Sequence, residues 1–144
     1  MATTVFDVAA YILSKQSAPI TTWKLQKLVY YSQAWASVWS DNPLFEERIE
    51  AWANGPVCPD LYEQHRGQFK IAKLDVGDPG VLSEDEKDTI DKVVDFYGKH
   101  DSQYLSELTH REAPWKEARI GLSPGERGNK VIPVDALSEY YGGL

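Results

Sequence analysis

Residues 21–40, TTWKLQKLVYYSQAWASVWS, decide the fold of this chain. They predict one helix of about 18 residues, opened by Thr21 or Thr22, whose hydroxyl can accept a hydrogen bond from a free amide of the first turn. An apolar stripe along this helix follows the i, i+3, i+4 spacing of one helix face. The residues of the stripe are Leu25, Leu28, Val29, Ser32, Trp35, Ala36 and Trp39.

The side of this helix opposite the stripe is also largely apolar. A turn of about 100° per residue places Trp23, Tyr30 and Ala34 there. A helix at the surface of a globular protein needs only one apolar side. Two alternatives therefore stay open: either other helices surround the segment, or the side with Trp23, Lys27, Tyr30 and Tyr31 is a surface on which a partner docks.

Length and composition predict one ordered domain over residues 1–144. The chain is 42% hydrophobic and 12% aromatic, and a domain of about this size buries roughly 68–70% of its unfolded surface, so a core forms without disulfides or metal. The single cysteine, Cys58, excludes an internal disulfide and favours a reducing compartment. The first residues do not resemble a signal peptide, and no apolar run reaches the ~18 residues that span a bilayer. We therefore expect a cytoplasmic protein with no membrane contact.

The net charge of −7 bears on the choice of partner. Binding to nucleic acid depends on Lys and Arg side chains that neutralise phosphates, so this charge disfavours a nucleic-acid partner. An acidic chain instead fits a basic partner.

Capping residues and apolar stripes predict further helices along the chain. The first covers 3–16, a short one runs from Pro59 to Arg66, and three more begin near Asp101, Pro114 and Ile132. The clearest helix is 83–97, which opens with the capping box SEDE. We predict a mainly α, compact bundle of about six to seven helices around a central hydrophobic helix at about 22–40, with a minor β element left open in 44–76.

No motif in the chain carries recognisable catalytic chemistry. The residues Cys58, His65, His100 and His110 lack the short paired spacing of metal ligands, such as CxxC or HxxxH. Cys58 lies between prolines with no nucleophile signature, which favours a small buried filler. Neither phosphate-loop pattern, GxxxxGK[ST] or GxGxxG, is present. We predict no catalytic residue, no metal and no cofactor.

Two segments allow a functional alternative. The first is 109–115, THREAPW, where His110 could act as a base or contact a partner. The alternative is that the segment is a bend between two helices. In that bend His110 bonds a carbonyl at a helix end, where a cation is favoured, and Trp115 fills the core. Residues 5–39 have the layout of a helix-turn-helix, in which Lys24 and Lys27 would face DNA, but the acidic charge and the aromatic side disfavour it.

Three blocks of sequence resemble the Panacea domain family, whose members are also described as GepA-like phage-associated proteins and SocA-like antitoxins. The blocks are KLQKLVYYSQAW at 24–35, PLFEERIEAWANGPVCPDLY at 43–62 and LTHREAPW at 108–115, so the resemblance spans nearly the whole chain. The positions that match the family's motifs are Lys27, Leu28, Tyr30, Gln33, Pro43, Leu44, Trp52, Gly55, Pro56, Leu61, Tyr62, Thr109, His110, Pro114 and Trp115.

The resemblance implies a small helical antitoxin of bacteria, phages or prophages, without a catalytic residue. Members of the family neutralise the toxin of a two-gene system by direct protein contact, and one branch delivers its toxin to a AAA+ protease. We therefore expect a cognate protein toxin, a basic enzyme acting on RNA or nucleotides, with a AAA+ protease left open as a further partner. The alternative from another class is a DNA-binding regulator that represses the toxin–antitoxin operon.

Two surfaces are candidates for contact with the toxin. One is the aromatic side of the central helix, because aromatic residues dominate interface hot spots. The other is the acidic face of helix 83–97, because opposite charge speeds association with a basic partner. Each surface also has a simpler interpretation. The aromatic side can equally be predicted as part of the core, and the acidic face as an ordinary solvated face of a helix. The acidic residues are Glu84, Asp85, Asp88, Asp91 and Asp95.

Overall fold

The computed structural model describes residues 2–144 and has the mainly α fold that the sequence predicts. Within these residues lie seven α-helices, two small antiparallel sheets and one 3₁₀ turn at Pro79–Val81. The helices are α1 (Val5–Ser14), α2 (Thr22–Trp39), α3 (Pro59–His65), α4 (Glu84–Tyr97), α5 (Ser102–Arg111), α6 (Ala113–Ala118) and α7 (Val134–Gly142). The strands are β1 (Ile20–Thr21), β2 (Glu50–Trp52), β3 (Gly55–Val57) and β4 (Lys70–Ile71).

Side-chain caps begin the main helices at the predicted places. The hydroxyl of Thr21 accepts from the Lys24 N–H at the start of α2. Ser83 and Glu86 form the predicted capping box at the start of α4. Each cap satisfies an amide that has no partner inside its helix, so local sequence is enough to set these boundaries.

Helix α2 lies at the centre of the fold and is covered on nearly every side. All of residues 25–34 are buried, and α2 packs against α1, α4, α5, α7 and the strand β3. Its two apolar sides therefore reflect burial among other elements. The side chains of Lys27, Tyr30 and Tyr31 are not exposed, which corrects the expectation of an accessible aromatic side; of that set only Trp23 is partly accessible.

Two buried glutamines of α2 pair with the backbone of segment 44–58, which contains the β2–β3 hairpin. Gln33 Nε2 donates to the carbonyl of Phe45 (2.9 Å), and its Oε1 accepts from the Leu44 N–H (2.7 Å). Gln26 Oε1 accepts from the Cys58 N–H (2.9 Å), and its Nε2 lies 2.9 Å from His65 Nε2. About two helical turns separate the glutamines, so both face the same side of α2. Because buried backbone groups need partners, these amides fix both ends of the segment on α2.

A buried carboxylate joins α2 to the C-terminal helices. Glu112 Oε1 accepts hydrogen bonds from the hydroxyls of Tyr31 (2.7 Å) and Tyr141 (2.8 Å). The hydroxyl of Tyr30 lies 3.0 Å from that of Tyr141. Burial raises the pKa of Glu112, while the two tyrosine hydroxyls act in the opposite direction. The start of α6 and the end of α7 are thereby held against the central helix.

The β element that the sequence left open in 44–76 is present in two small parts. Strands β2 and β3 form a hairpin with Trp52 opposite Gly55, and β4 pairs with β1. Gly55 lies in the turn of this hairpin and has a φ of +126°. A Cβ at this position would lie 2.5 Å from Lys27 Cε, so only glycine lets the hairpin approach α2 this closely.

Replacing Gln33 by Leu tests the pairing between α2 and segment 44–58. The variant keeps a side chain of similar size but leaves the Leu44 N–H and the Phe45 carbonyl without partners. We expect the free energy of unfolding to fall by about 2–4 kcal/mol, since each orphaned buried group costs about 1–3 kcal/mol. Urea unfolding followed by circular dichroism measures the change.

The matched control is Gln103→Leu, which makes the same replacement at an exposed site on α5. It should change the free energy of unfolding by less than about 0.5 kcal/mol. Equal losses in the two variants would contradict the role assigned to Gln33.

Candidate functional site

Motif residues from three distant blocks meet around the β2–β3 hairpin. Trp115 Nε1 donates to the carbonyl of Trp52 (2.8 Å), and the His110 ring stacks on the Trp115 ring with centroids 3.9 Å apart. The side chain of Lys27 and the hydroxyl of Thr109 fill the space beside Gly55. We call Lys27, Trp52, Gly55, Thr109, His110 and Trp115 the hairpin cluster.

Lys27 has the most unusual environment in this cluster. Its side chain is 1% exposed, and no carboxylate of residues 2–144 lies within salt-bridge distance of its Nζ. Nζ lies 5.3 Å from the centroid of the Trp23 ring, whose π face favours a cation. Removal from water lowers the pKa of Lys27 to about 7, so the amine is only partly protonated at neutral pH.

His110 lies in the last turn of α5 but is not the cation that a helix end favours. Burial lowers its pKa, and the nearby charges of Lys27 and Arg119 lower it further. Its Nε2 is buried and has no hydrogen-bond partner within the described residues. The predicted bend between two helices is present, since α5 ends at Arg111 and α6 begins at Ala113. The cationic state that a helix end favours is not supported, because the ring is removed from water beside two bases.

The other motif residues lie in packed or turn positions. Tyr62 lies between two indoles, with its ring centroid 6.5 Å from that of Trp23 and 5.0 Å from that of Trp52. Pro114 is buried in the first turn of α6, whereas Pro43 is exposed in the loop after α2. The remaining members are buried, and they are Leu28, Leu44, Pro56 and Leu61.

Cys58, the candidate nucleophile of the sequence analysis, is not activated in the structure. Burial raises the pKa of the Cys58 thiol to about 11, which leaves it protonated and poorly nucleophilic at neutral pH. Across residues 2–144, no three side chains of the types His, Cys, Asp and Glu lie close enough to hold a metal ion. No described helix is both long and apolar enough to cross a membrane.

The lysines of the helix-turn-helix interpretation do not face outward. Lys24 Nζ donates to the carbonyl of Gly98 (2.6 Å), and Lys27 is buried. Since α2 lies inside the fold, it does not present these side chains to a DNA groove. The structure therefore does not support the helix-turn-helix interpretation, which the acidic charge already disfavoured.

The acidic face of α4 is accessible over most of its length. The helix has six carboxylates and two lysines, so it carries a net −4 of the chain's −7. Asp91 is half-buried, accepts from the Tyr11 hydroxyl (2.8 Å) and lies 3.4 Å from Lys15 Nζ, which ties α4 to α1. The exposed members of the predicted set are Glu84, Asp85, Asp88 and Asp95.

Two large aromatic side chains lie beside this acidic face. Trp39 is 51% exposed, although its spacing places it on the apolar stripe, and Phe96 on α4 is 63% exposed. Trp39 stacks on Trp35 (centroids 5.2 Å apart), which in turn donates from Nε1 to the Tyr97 hydroxyl (2.9 Å). A groove of about 660 Å³ runs between the end of α2 and α4. Sequence reasoning missed the exposure of Trp39, although its position gives a signal. Trp39 is the last residue of α2 and lies beyond the elements that bury the rest of the helix.

The comparisons with known proteins give one match. A family model described as "Antitoxin SocA-like, Panacea domain" matches residues 25–116. The matched range contains the hairpin cluster and all of α4. No curated protein and no solved structure matches the chain significantly.

Replacing Lys27 by Met tests the environment assigned to the amine. The pKa of Lys27 is about 7 in the folded chain, against a usual value of 10.5. Between these values Lys27 binds more protons in the unfolded chain than in the folded chain, so its contribution to the free energy of unfolding rises with pH. The contribution of Lys27 to this rise is at most about 1.4 kcal/mol per pH unit. Met does not titrate, so Lys27→Met removes this contribution. We therefore expect the variant to be more stable than the natural protein at pH 7 and this difference in the free energy of unfolding to shrink as the pH is raised to 10.

Urea unfolding at several pH values between 7 and 10 measures this difference. The control Lys73→Met removes a lysine from an exposed loop position and should keep the pH dependence of the natural protein. Parallel stability curves for the natural protein and Lys27→Met would contradict the lowered pKa.

Proposed function

We propose, because this chain belongs to the Panacea-domain family of SocA-like antitoxins, that it is the antitoxin of a bacterial or phage two-gene system. In this proposal it acts in the cytoplasm, without catalysis, and neutralises its cognate protein toxin by direct binding. The observation that carries the proposal is the family match over residues 25–116. We further propose that residues 1–144 act as one domain, since α1 and α7 lie outside that range yet pack on α2.

The surface that we assign to the toxin is the exposed acidic face of α4 together with the aromatic side chains beside it. Asp85 and Asp95 form no ion pair within the described part of the chain. Glu84 and Asp88 pair with Lys87 (3.9 Å) and Lys92 (3.0 Å) at the surface, where such pairs contribute little. Most of this charge is therefore free to act on a partner. The members of this acidic surface are Trp39, Glu84, Asp85, Asp88, Asp95 and Phe96.

Trp39 supplies an anchor for this contact. Its ring is exposed but held in place by stacking on Trp35, so little side-chain entropy is lost when a partner covers it. Buried interface tryptophans are commonly worth about 2 kcal/mol or more. The surrounding carboxylates add attraction for a basic partner.

The partner that fits this surface is a basic enzyme acting on RNA or nucleotides. Such enzymes use Lys and Arg side chains to bind phosphate groups. A surface of closely spaced carboxylates competes for the same basic side chains, and it would block the substrate site without any chemistry. A protein that neutralises by occupancy also needs a rigid scaffold, which the buried α2 provides.

Co-expression with the product of the adjacent gene tests the proposed function. The neighbour alone should stop growth of the host, and growth should return when this chain is co-expressed and co-purifies with it. The amount of toxin on an immunoblot should stay unchanged, whereas a fall would favour delivery to a AAA+ protease. A neighbour that is harmless alone, or a growth arrest that this chain does not relieve, would overturn the proposal.

Variants of the acidic surface locate the contact in the same system. Asp85→Asn, Asp88→Asn and Asp95→Asn together should slow association with the purified toxin about tenfold at low salt, because steering by opposite charge is lost. Trp39→Ala should instead speed dissociation. Surface plasmon resonance at several salt concentrations separates the two effects.

The matched control neutralises three exposed carboxylates on other helices, by Glu63→Gln, Glu107→Gln and Glu139→Gln. It changes the net charge equally and should leave the association rate within about twofold of the natural value. If the two triple variants slow association equally, net charge rather than the acidic surface of α4 is responsible.

A further inference from the structure

A second concave site lies beside the hairpin and shares no lining residue with the groove at α4. It has a volume of about 570 Å³ and is bounded by α2, the β2–β3 hairpin and the loop at 127–129. Small-molecule sites are commonly clefts of about 300–1,000 Å³ with apolar walls and a few polar groups. The cleft is thus large enough for a ligand of cofactor size.

Two indoles form the apolar part of the cleft. Trp23 and Trp52 both line it and are both half-buried. Tyr62 packs against each of them, which fixes their orientation. Indole faces that are accessible and held in place favour stacking with a flat aromatic ring.

The polar part of the cleft favours an anion. Arg127 lines it, and its guanidinium forms no ion pair within the described residues. Glu50 is the carboxylate in the lining, and its two oxygens already accept from Trp52 Nε1 (2.9 Å) and Arg48 Nε (2.8 Å). The amide side chains of Asn54 and Asn129 add neutral donors and acceptors.

The structure behind the cleft reinforces this preference. Lys27 lies against Trp23 with no carboxylate partner, and Arg119 donates to the carbonyls of Ala51 (3.0 Å) and Glu126 rather than to an acid. Buried charges are screened weakly by salt, so the guanidinium of Arg119 and the partly protonated amine of Lys27 favour an anion in the cleft. A chain of net charge −7 therefore has a local excess of basic groups here.

We propose that this cleft binds a small anionic ligand with a flat aromatic ring, the class to which nucleoside phosphates belong. The ring lies against Trp23 and Trp52, and the anionic group lies beside Arg127. The site goes beyond the proposed antitoxin function, because binding requires no toxin and uses none of the acidic surface.

Isothermal titration calorimetry of the full chain tests the proposal with ATP, GTP, adenosine, guanosine and inorganic phosphate as probes. We expect ATP or GTP to bind saturably and to quench tryptophan fluorescence excited at wavelengths that nucleotides do not absorb. The matching nucleoside should bind at least about tenfold more weakly, since it lacks the group that Arg127 contacts. No saturable binding of either triphosphate at millimolar concentration would overturn the proposal.

A pair of loop variants separates a built site from general charge attraction. Arg127→Ala should weaken binding of the nucleotide about tenfold and leave binding of the nucleoside unchanged. Lys130→Ala removes the same charge from the same exposed loop outside the cleft lining, and it should change the affinity by less than about twofold. Equal effects of the two variants on nucleotide binding would contradict the site.

The same experiment separates this inference from its alternatives. Tighter binding of an oligouridylate than of any mononucleotide would assign the cleft to RNA and overturn the small-molecule proposal. Arg127→Ala should leave toxin neutralisation intact, so failure of nucleotide binding and failure of the antitoxin function are measured independently.

Discussion

The fold depends on how the polar side chains of α2 are satisfied inside the core. A helix that is covered on nearly every side cannot leave its polar groups to water, and unpaired ones would be costly. Gln26 and Gln33 meet this constraint by bonding the backbone of the segment that wraps α2, and Tyr30 and Tyr31 meet it through Glu112 and Tyr141. The same contacts that satisfy α2 also position the hairpin and the C-terminal helices.

Much of this architecture follows from local sequence, and the rest depends on contacts between distant residues. The length of α2 and the capping box at Ser83 follow from helical periodicity and local capping residues, so sequence reasoning predicts them. The burial of Lys27 is not encoded in this way, because periodicity assigns a lysine to the surface unless the covering hairpin is known. The pairing of Gln33 with Leu44 and Phe45 is also invisible locally, since amide side chains carry no signal of their partner.

The candidate sites show the same division. The acidic face of α4 could be predicted, because charge and helical spacing are both read directly from the sequence. Trp39 and Phe96 could not be recognised as neighbours of this face, since their exposure depends on which elements pack around α2 and α4 in the fold. Arg127 lies in a loop without a motif and joins Trp23 and Trp52 only through the fold. The chain thus presents two separate surfaces on one scaffold, the acidic face of α4 and a cleft in which Arg127 lies beside two indoles.

We propose that a rigid scaffold built around α2 presents α4 to a protein toxin. Amide hydrogen exchange, measured on the chain alone and in complex with its toxin, tests this claim most directly. The account predicts that binding slows exchange in α4 and in the loop after Trp39, with little change in the hairpin or at 127–129. Slowed exchange confined to the hairpin and that loop, or no change in α4, would contradict the account.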